Sequence, residues 1–431
     1  MALFVLVVPL IVVVAVAGLR WPLRFMFAAY AFILPFGSGI ELPIGMPPPF
    51  NTLSTLIGLF ATLAILAHLA LVPRRANRIH PSVPLWLIFT GIAGLTFIWS
   101  ANPADRGDDY AVLVSLVALY VAASLMPVER EDVDRIEKGI AGGGAVTGIY
   151  ALVLLATGSL PQTGGGTPRF ATAGGAGEGG TDPNITAAAL LLPLAIAAAR
   201  AIRAEESRRG RILFGISGAL AGAAILLTGS RGGLLAGVVI LAMLTINEGR
   251  RVVIGWLAGG AVALTVLTLS LAPGALIGHL GKETSSGRTD IWRVGLSACQ
   301  SYCLTGSGWS TFQDVYRDAL GDTPNAREFG FKPKAHNVFL RLAIETGILG
   351  LAVAIAALIL HLREAALLPR AVRGPPLAGI VGVLIANMFL SNIDFKYFWV
   401  VLIYGTLTTL QGVEAEQRIR VAPRLRPVLA G

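Results

Sequence analysis

The stretch FKPKAHNVFLRLAIETGILGLAVAI, residues 331–355, decides how the chain is read. After His336 and Asn337 it is apolar for the length of a membrane crossing, yet Arg341 and Glu345 stand inside the apolar run. About 20 apolar residues in helical form span a bilayer core. Ionisable groups within such a run face the protein interior or a cavity and pair with one another. Asn337, Arg341 and Glu345 are spaced four apart and so share one helix face. This predicts an Arg341–Glu345 ion pair as structural support, Asn337 as the helix cap, and His336 beside the stripe, facing outward.

The rest of the chain agrees with a membrane reading. Of 431 residues, 55% are hydrophobic and 14% charged, with a mean hydropathy of +0.71. A soluble chain of this length cannot hide so much apolar surface. Apolar runs fall at approximately 2–18, 22–39, 51–72, 82–100, 109–126, 137–157, 183–203, 211–229, 233–247, 252–272, 337–361, 376–393 and 397–411. They lack the alternation of a barrel, which leaves helices as the structure that satisfies the backbone in lipid. The fold class is therefore all-α polytopic, with about twelve or thirteen membrane helices.

The net charge of +9 does not indicate nucleic acid. Its excess lies in short connecting segments, PRRANR at 73–78, RAIRAEESRRGR at 200–211, EGRR at 248–251 and the tail after Glu416. The positive-inside rule puts these in the cytoplasm and fixes the orientation of the spans. Residues 1–272 then form the first ten spans, 273–335 a folded outer cap, 336–412 the last spans and 413–431 a basic cytoplasmic tail. The only cysteines, Cys299 and Cys303, fall in the cap, and two cysteines are no disulfide scaffold.

Three outward arginines are candidates for anion binding. Arg231, in LLTGSRGGLLA, sits between two spans with almost no loop, on the side where the rule disfavours arginine. The glycine pair after it would allow a ligand to approach the backbone. Arg288 stands in SSGRTDIW and Arg169 in the glycine-rich GGGTPRFATAGG. Guanidinium forks match phosphate oxygens in bidentate geometry, so a pyrophosphate would suit such a set. His336 is the histidine at the junction of cap and span, and a neutral imidazole there can take a proton from a hydroxyl. His279 is also outward, whereas His68, His80 and His361 read as structural or interfacial. In TDPN, Asp182 and Pro183 read as a helix start. No spacing points to a metal site.

In order, RF…DPNITAAALLLPLA, TGSRGGLLA, GRTDIW, SGWSTFQDVY and HNVFLRLAIETGILGL resemble the O-antigen ligase and O-antigen polymerase superfamily of bacterial envelopes, over roughly residues 165–365. The resemblance implies a metal-independent, inverting glycosyltransferase of about twelve spans, without cofactor, in the cytoplasmic (inner) membrane. Its site would face the periplasm. The donor would be a glycan on undecaprenyl pyrophosphate, and the acceptor a hydroxyl on a glycolipid or a glycan. It implies that Arg231 and Arg288 hold the pyrophosphate, with Arg169 a further substrate contact, and that His336 assists the acceptor. A polymerase, a protein-glycosylating enzyme, and a transporter or lipid flippase are the rival readings. Transporters commonly carry repeated halves around a midplane site, and this chain shows neither repeat nor symmetry.

Overall fold

The computed structural model describes residues 16–37, 40–42, 51–72, 79–100, 106–161, 168–172, 182–248, 287–328 and 333–421. The protein is an all-α polytopic membrane protein. In chain order its helices are α1 (Pro22–Gly37), α2 (Leu53–Leu71), α3 (Val83–Leu95), α4 (Gly107–Ser124) and α5 (Arg130–Ala156). There follow α6 (Pro183–Ile202), α7 (Arg208–Leu227), α8 (Arg231–Glu248), α9 (Arg288–Tyr302), α10 (Phe312–Gly321), α11 (Val338–Leu367), α12 (Arg370–Asn387) and α13 (Lys396–Val421). Among the described residues, α2, α4, α5, α6, α7 and α11 are long and apolar enough to cross a membrane. The expected span at 252–272, nearly all of that at 2–18 and the first part of the segment from 273 lie outside the described residues, as does His279.

Helix α6 is the axle of the bundle. Its sequence is apolar all round, and it is buried along almost its whole length against α5, α7, α8 and α12. Alanines at 187–189 and 197–199 let neighbouring backbones come close, as small residues do between membrane helices. Asp182 caps it, accepting from the Asn184 N–H at 2.6 Å, and Pro183 takes the first helical position.

The ends of the bundle differ in their chemistry. At one end, α5 begins at Arg130, earlier than the apolar run alone indicates, because its charged first turns are bound by arginines. Arg200 bonds Glu137 at 2.7 Å and Asp134 at 2.9 Å, and Arg24 meets Glu129, Glu131 and Asp132. His80 and His361 are buried and stacked, joined through Ser82 Oγ, which lies 2.8 Å from His80 Nδ1 and 3.1 Å from His361 Nε2. His68 Nδ1 lies 2.8 Å from the Leu19 carbonyl.

At the other end, α9 and α10 enclose a small core of Ile291, Val294, Ala298, Phe312, Val315 and Tyr316, leaning on Ile344 of α11. Cys299 and Cys303 are joined by a disulfide at the end of α9. The turn after α9 is wedged into a break in α11. Gly347 leaves helical geometry at φ 71° and ψ −179°. The carbonyls of Ile344 and Glu345 accept from the N–H groups of Ser307 (2.8 Å) and Gly308 (3.0 Å). Further ties run to the α3–α4 connection and the first turn of α4: Trp99 Nε1 donates to the Gly306 carbonyl at 3.0 Å, Arg106 pairs with Asp314, and Ser310 donates to Asp109.

Candidate functional site

Arg231 owes its place to a tight corner. Gly229, at φ 62°, ends α7 in the left-handed region, and Ser230 Oγ then accepts from the Gly233 N–H at 3.3 Å. Arg231 follows as the first residue of α8 and is exposed. The glycines behind it do not open the backbone to a ligand, as their pairing with Arg231 suggested. A Cβ on Gly233 would lie 2.5 Å from the Ala187 Cβ, and one on Gly232 would lie 3.1 Å from the Phe389 ring. The pair serves close helix packing instead.

Arg169 reaches the same corner from a distant part of the chain. Its Nε donates to the Thr228 carbonyl at 2.7 Å and its Nη2 to Asn184 Oδ1 at 3.4 Å. The adjoining Phe170 N–H donates to the Leu227 carbonyl at 2.9 Å, and Thr172 Oγ1 donates to the Pro35 carbonyl at 2.8 Å. Residues 168–172 thus lie across the ends of α7, α6 and α1.

Arg288 opens α9, its approach set by Gly287 at φ 76°. Asp290, a potential partner two residues on, pairs with Arg293 at 3.0 Å. Arg288 is mostly buried, and this burial holds its guanidinium below the ordinary value; Asp182 opposes the shift and Arg231 reinforces it. For Arg169 the dominant cause is likewise burial, opposed by Asp182 and reinforced by Arg288. Both remain cations, as arginine does in proteins.

His336 sits at φ 47°, a left-handed conformation that costs an ordinary residue about 1–2 kcal/mol. Such strain concentrates where the surrounding structure fixes a side chain for a purpose. Burial is the main reason its pKa is pushed down to about 4, with Arg288 and Lys334 adding to the shift. Asp182 and a hydrogen bond with the Phe389 backbone oppose it. The imidazole is therefore neutral near pH 7. Asn337 next to it caps α11, its Oδ1 accepting from the N–H groups of Phe339 and Leu340, each at 3.0 Å.

One helical turn below, Arg341 and Glu345 form the expected pair at 3.1 Å. The pair is larger than its spacing suggested. Arg341 Nη1 also donates to Asp394 at 2.9 Å and to the Ser391 carbonyl at 2.7 Å, and its guanidinium lies 5.1 Å from the Trp309 ring centroid. Glu345 Oε1 accepts from the Phe312 N–H at 3.3 Å. These two residues tie the α12–α13 connection and the start of α10 to the helix that carries His336.

The arrangement brings together residues far apart in sequence. Arg231 acts electrostatically on Arg288, and Arg288 on both Arg169 and His336. Asp182 acts on Arg169, Arg288 and His336, and Phe389 packs its ring near Gly232 while its backbone hydrogen-bonds His336. Asp182, Phe389 and Asp394 were not singled out from the sequence as site residues. The signal for Asp394 is an acid at the mouth of a membrane run, in SNIDFKYFWV; Phe389 carries none. Guanidinium forks suit a multiply charged anion, and a neutral imidazole is the form that can accept a proton.

No curated protein matches the chain. Residues 216–355, which hold Arg231, Arg288 and His336, match the family model described as O-antigen ligase, and this match supports the O-antigen ligase superfamily for the chain.

Proposed function

We propose that this protein transfers a glycan from undecaprenyl pyrophosphate to an acceptor hydroxyl at the outer face of the bacterial cytoplasmic membrane. The observation that supports the reading is a linked set of cations in which Arg288 acts on Arg169 and on a neutral His336 and is itself acted on by Arg231, in a chain whose residues 216–355 match O-antigen ligase. The arginines hold the pyrophosphate and stabilise the charge that develops on it, the kind of fixed electrostatics that dominates such catalysis. The acceptor oxygen bonds to the anomeric carbon as the bond from that carbon to the pyrophosphate oxygen breaks. The electron pair leaves with the carrier, the hydroxyl proton passes to His336, and attack opposite the leaving group inverts the centre. No metal or cofactor is needed for these steps.

The depressed basicity of His336 is part of this reading. Burial is its main cause and Arg288 adds to it, and a bound anion would offset the part that Arg288 contributes. Donor binding would therefore raise the basicity of His336 when its proton acceptor is required. The Cys299–Cys303 disulfide supports an outward-facing site, because disulfides persist in oxidising compartments. Against a transporter, Arg341 and Glu345 are buried and held by partners on other elements, as a structural pair would be.

The test is metal-free transfer by purified protein in detergent, with a lipid-pyrophosphate glycan donor and wild type compared with His336→Ala. Two acceptors are offered, a glycolipid core and a second carrier-linked glycan. Transfer to the glycolipid is expected of a ligase, and transfer to the second carrier-linked glycan would make the protein a polymerase. No transfer to either by folded wild type refutes both assignments.

A further inference from the structure

Asp182 is an anomaly in a site built for an anion. Its Oδ1 accepts from the Asn184 N–H at 2.6 Å and from Asn184 Nδ2 at 3.1 Å. Asn184 Oδ1 in turn accepts from Arg169 Nη2 at 3.4 Å, so the carboxylate is wired to an arginine through one amide. It also acts on Arg288 and His336 from the tip of the buried axle α6. A helix cap needs no negative charge, since asparagine and serine cap as well as aspartate. A carboxylate here lowers the positive potential that the three arginines would otherwise present.

We infer that Asp182 sets the charge of the anion site so that the spent carrier is released, a role that rests on the pyrophosphate reading above. The donor is a pyrophosphate diester with two negative charges. The product is a pyrophosphate monoester, which carries up to one more at neutral pH, its last ionisation resembling the phosphate pKa of about 6. A purely cationic site would hold the product more tightly than the donor. One fixed carboxylate repels the more charged species more strongly and so reduces that preference. Asp182 is thus a positioning residue for the charge balance and takes no proton from the acceptor.

The test uses the full chain in detergent at low salt, with inorganic pyrophosphate as the calorimetric probe. Asp182→Asn and Asp182→Ser remove the charge and keep a capping side chain, while Asp182→Glu keeps the charge. Removing a unit charge several ångströms from a multiply charged anion is expected to tighten pyrophosphate binding about tenfold. In transfer assays both neutral variants should lower KM for the donor and lower kcat as release becomes limiting; Asp182→Glu should bind like wild type. Loss of a merely structural contact would weaken binding instead. Unchanged or weaker binding by both neutral variants overturns the inference while leaving the clamp standing. Absence of pyrophosphate binding by wild type, or equal binding by Arg288→Ala, overturns the clamp and the inference together.

Discussion

Replacing Gly347 with alanine is expected to loosen the α9–α10 segment and, through it, Arg288. The conformation at Gly347, φ 71° and ψ −179°, is nearly exclusive to glycine, and a side chain there costs about 1–3 kcal/mol. Space adds to the penalty, since a Cβ would lie 2.7 Å from the Leu304 carbonyl oxygen and 2.9 Å from the Gly306 nitrogen, both backbone atoms. Relief requires the 304–308 turn to withdraw, which forfeits the bonds from Ser307 and Gly308 to α11, each worth about 0.5–1.5 kcal/mol. The combined cost is about 2–6 kcal/mol. Amide exchange read by mass spectrometry should show residues 287–328 losing protection first, because local opening reports local stability. Gly321→Ala is the control, since a Cβ there meets nothing within 4 Å. If Gly347→Ala and Gly321→Ala give the same exchange and the same melting temperature, the wedge does not hold this segment and the reasoning fails.

Other substitutions probe the site and its support. Arg231→Ala and Arg288→Ala should abolish glycan transfer in folded protein, and lysine at either position should restore little of it, because a point charge lacks the bidentate fork; full activity in either alanine variant removes the clamp. With the free-enzyme His336 near pKa 4, the acid limb of kcat/KM should lie near that pH. Bound pyrophosphate raises the imidazole pKa, so the acid limb of kcat should lie higher, and coincident limbs would show that donor and histidine do not interact. Arg341→Met should destabilise the protein by about 3–5 kcal/mol by leaving Glu345 and Asp394 without their cation, measured as a fall in melting temperature.

The helices were legible because lipid demands them. Runs such as 183–203 and 211–229 coincide closely with α6 and α7, since an apolar stretch in a bilayer has one way to satisfy its backbone. Boundaries failed where charge continues a helix beyond the apolar run, as at Arg130, whose neighbours find arginines on other elements. Arg231 stood out because arginine is rare on that side, and Asn337, Arg341 and Glu345 because they share a face. Asp394 and Trp309 belong to the same ion-pair network, but each meets Arg341 only in the folded chain. Asp182 was read as a cap, which it is; its second set of neighbours, Arg169, Arg288 and His336 among them, comes from distant segments of sequence. The break at Gly347 was hidden because one glycine in an apolar helix is ordinary, and only the inserted turn makes it a bend.

The enclosure of α6 has a consequence for the order of synthesis. The helices that cover it include α8, α12 and α13, all made after it. When α6 first enters the bilayer, the face that ends up against them has only lipid or insertion machinery beside it. Its alanine-rich surface is apolar enough to wait there, and small enough to accept late neighbours without repacking. Asp182 sits at its tip, so the packing around that charge is completed only when the C-terminal helices close around the axle. A chain halted before α12 would carry Arg231 and His336 yet lack part of the wall that positions them. On the proposed reading, the wall of the site at the mouth of this bundle is therefore finished by the same late helices that bury its centre.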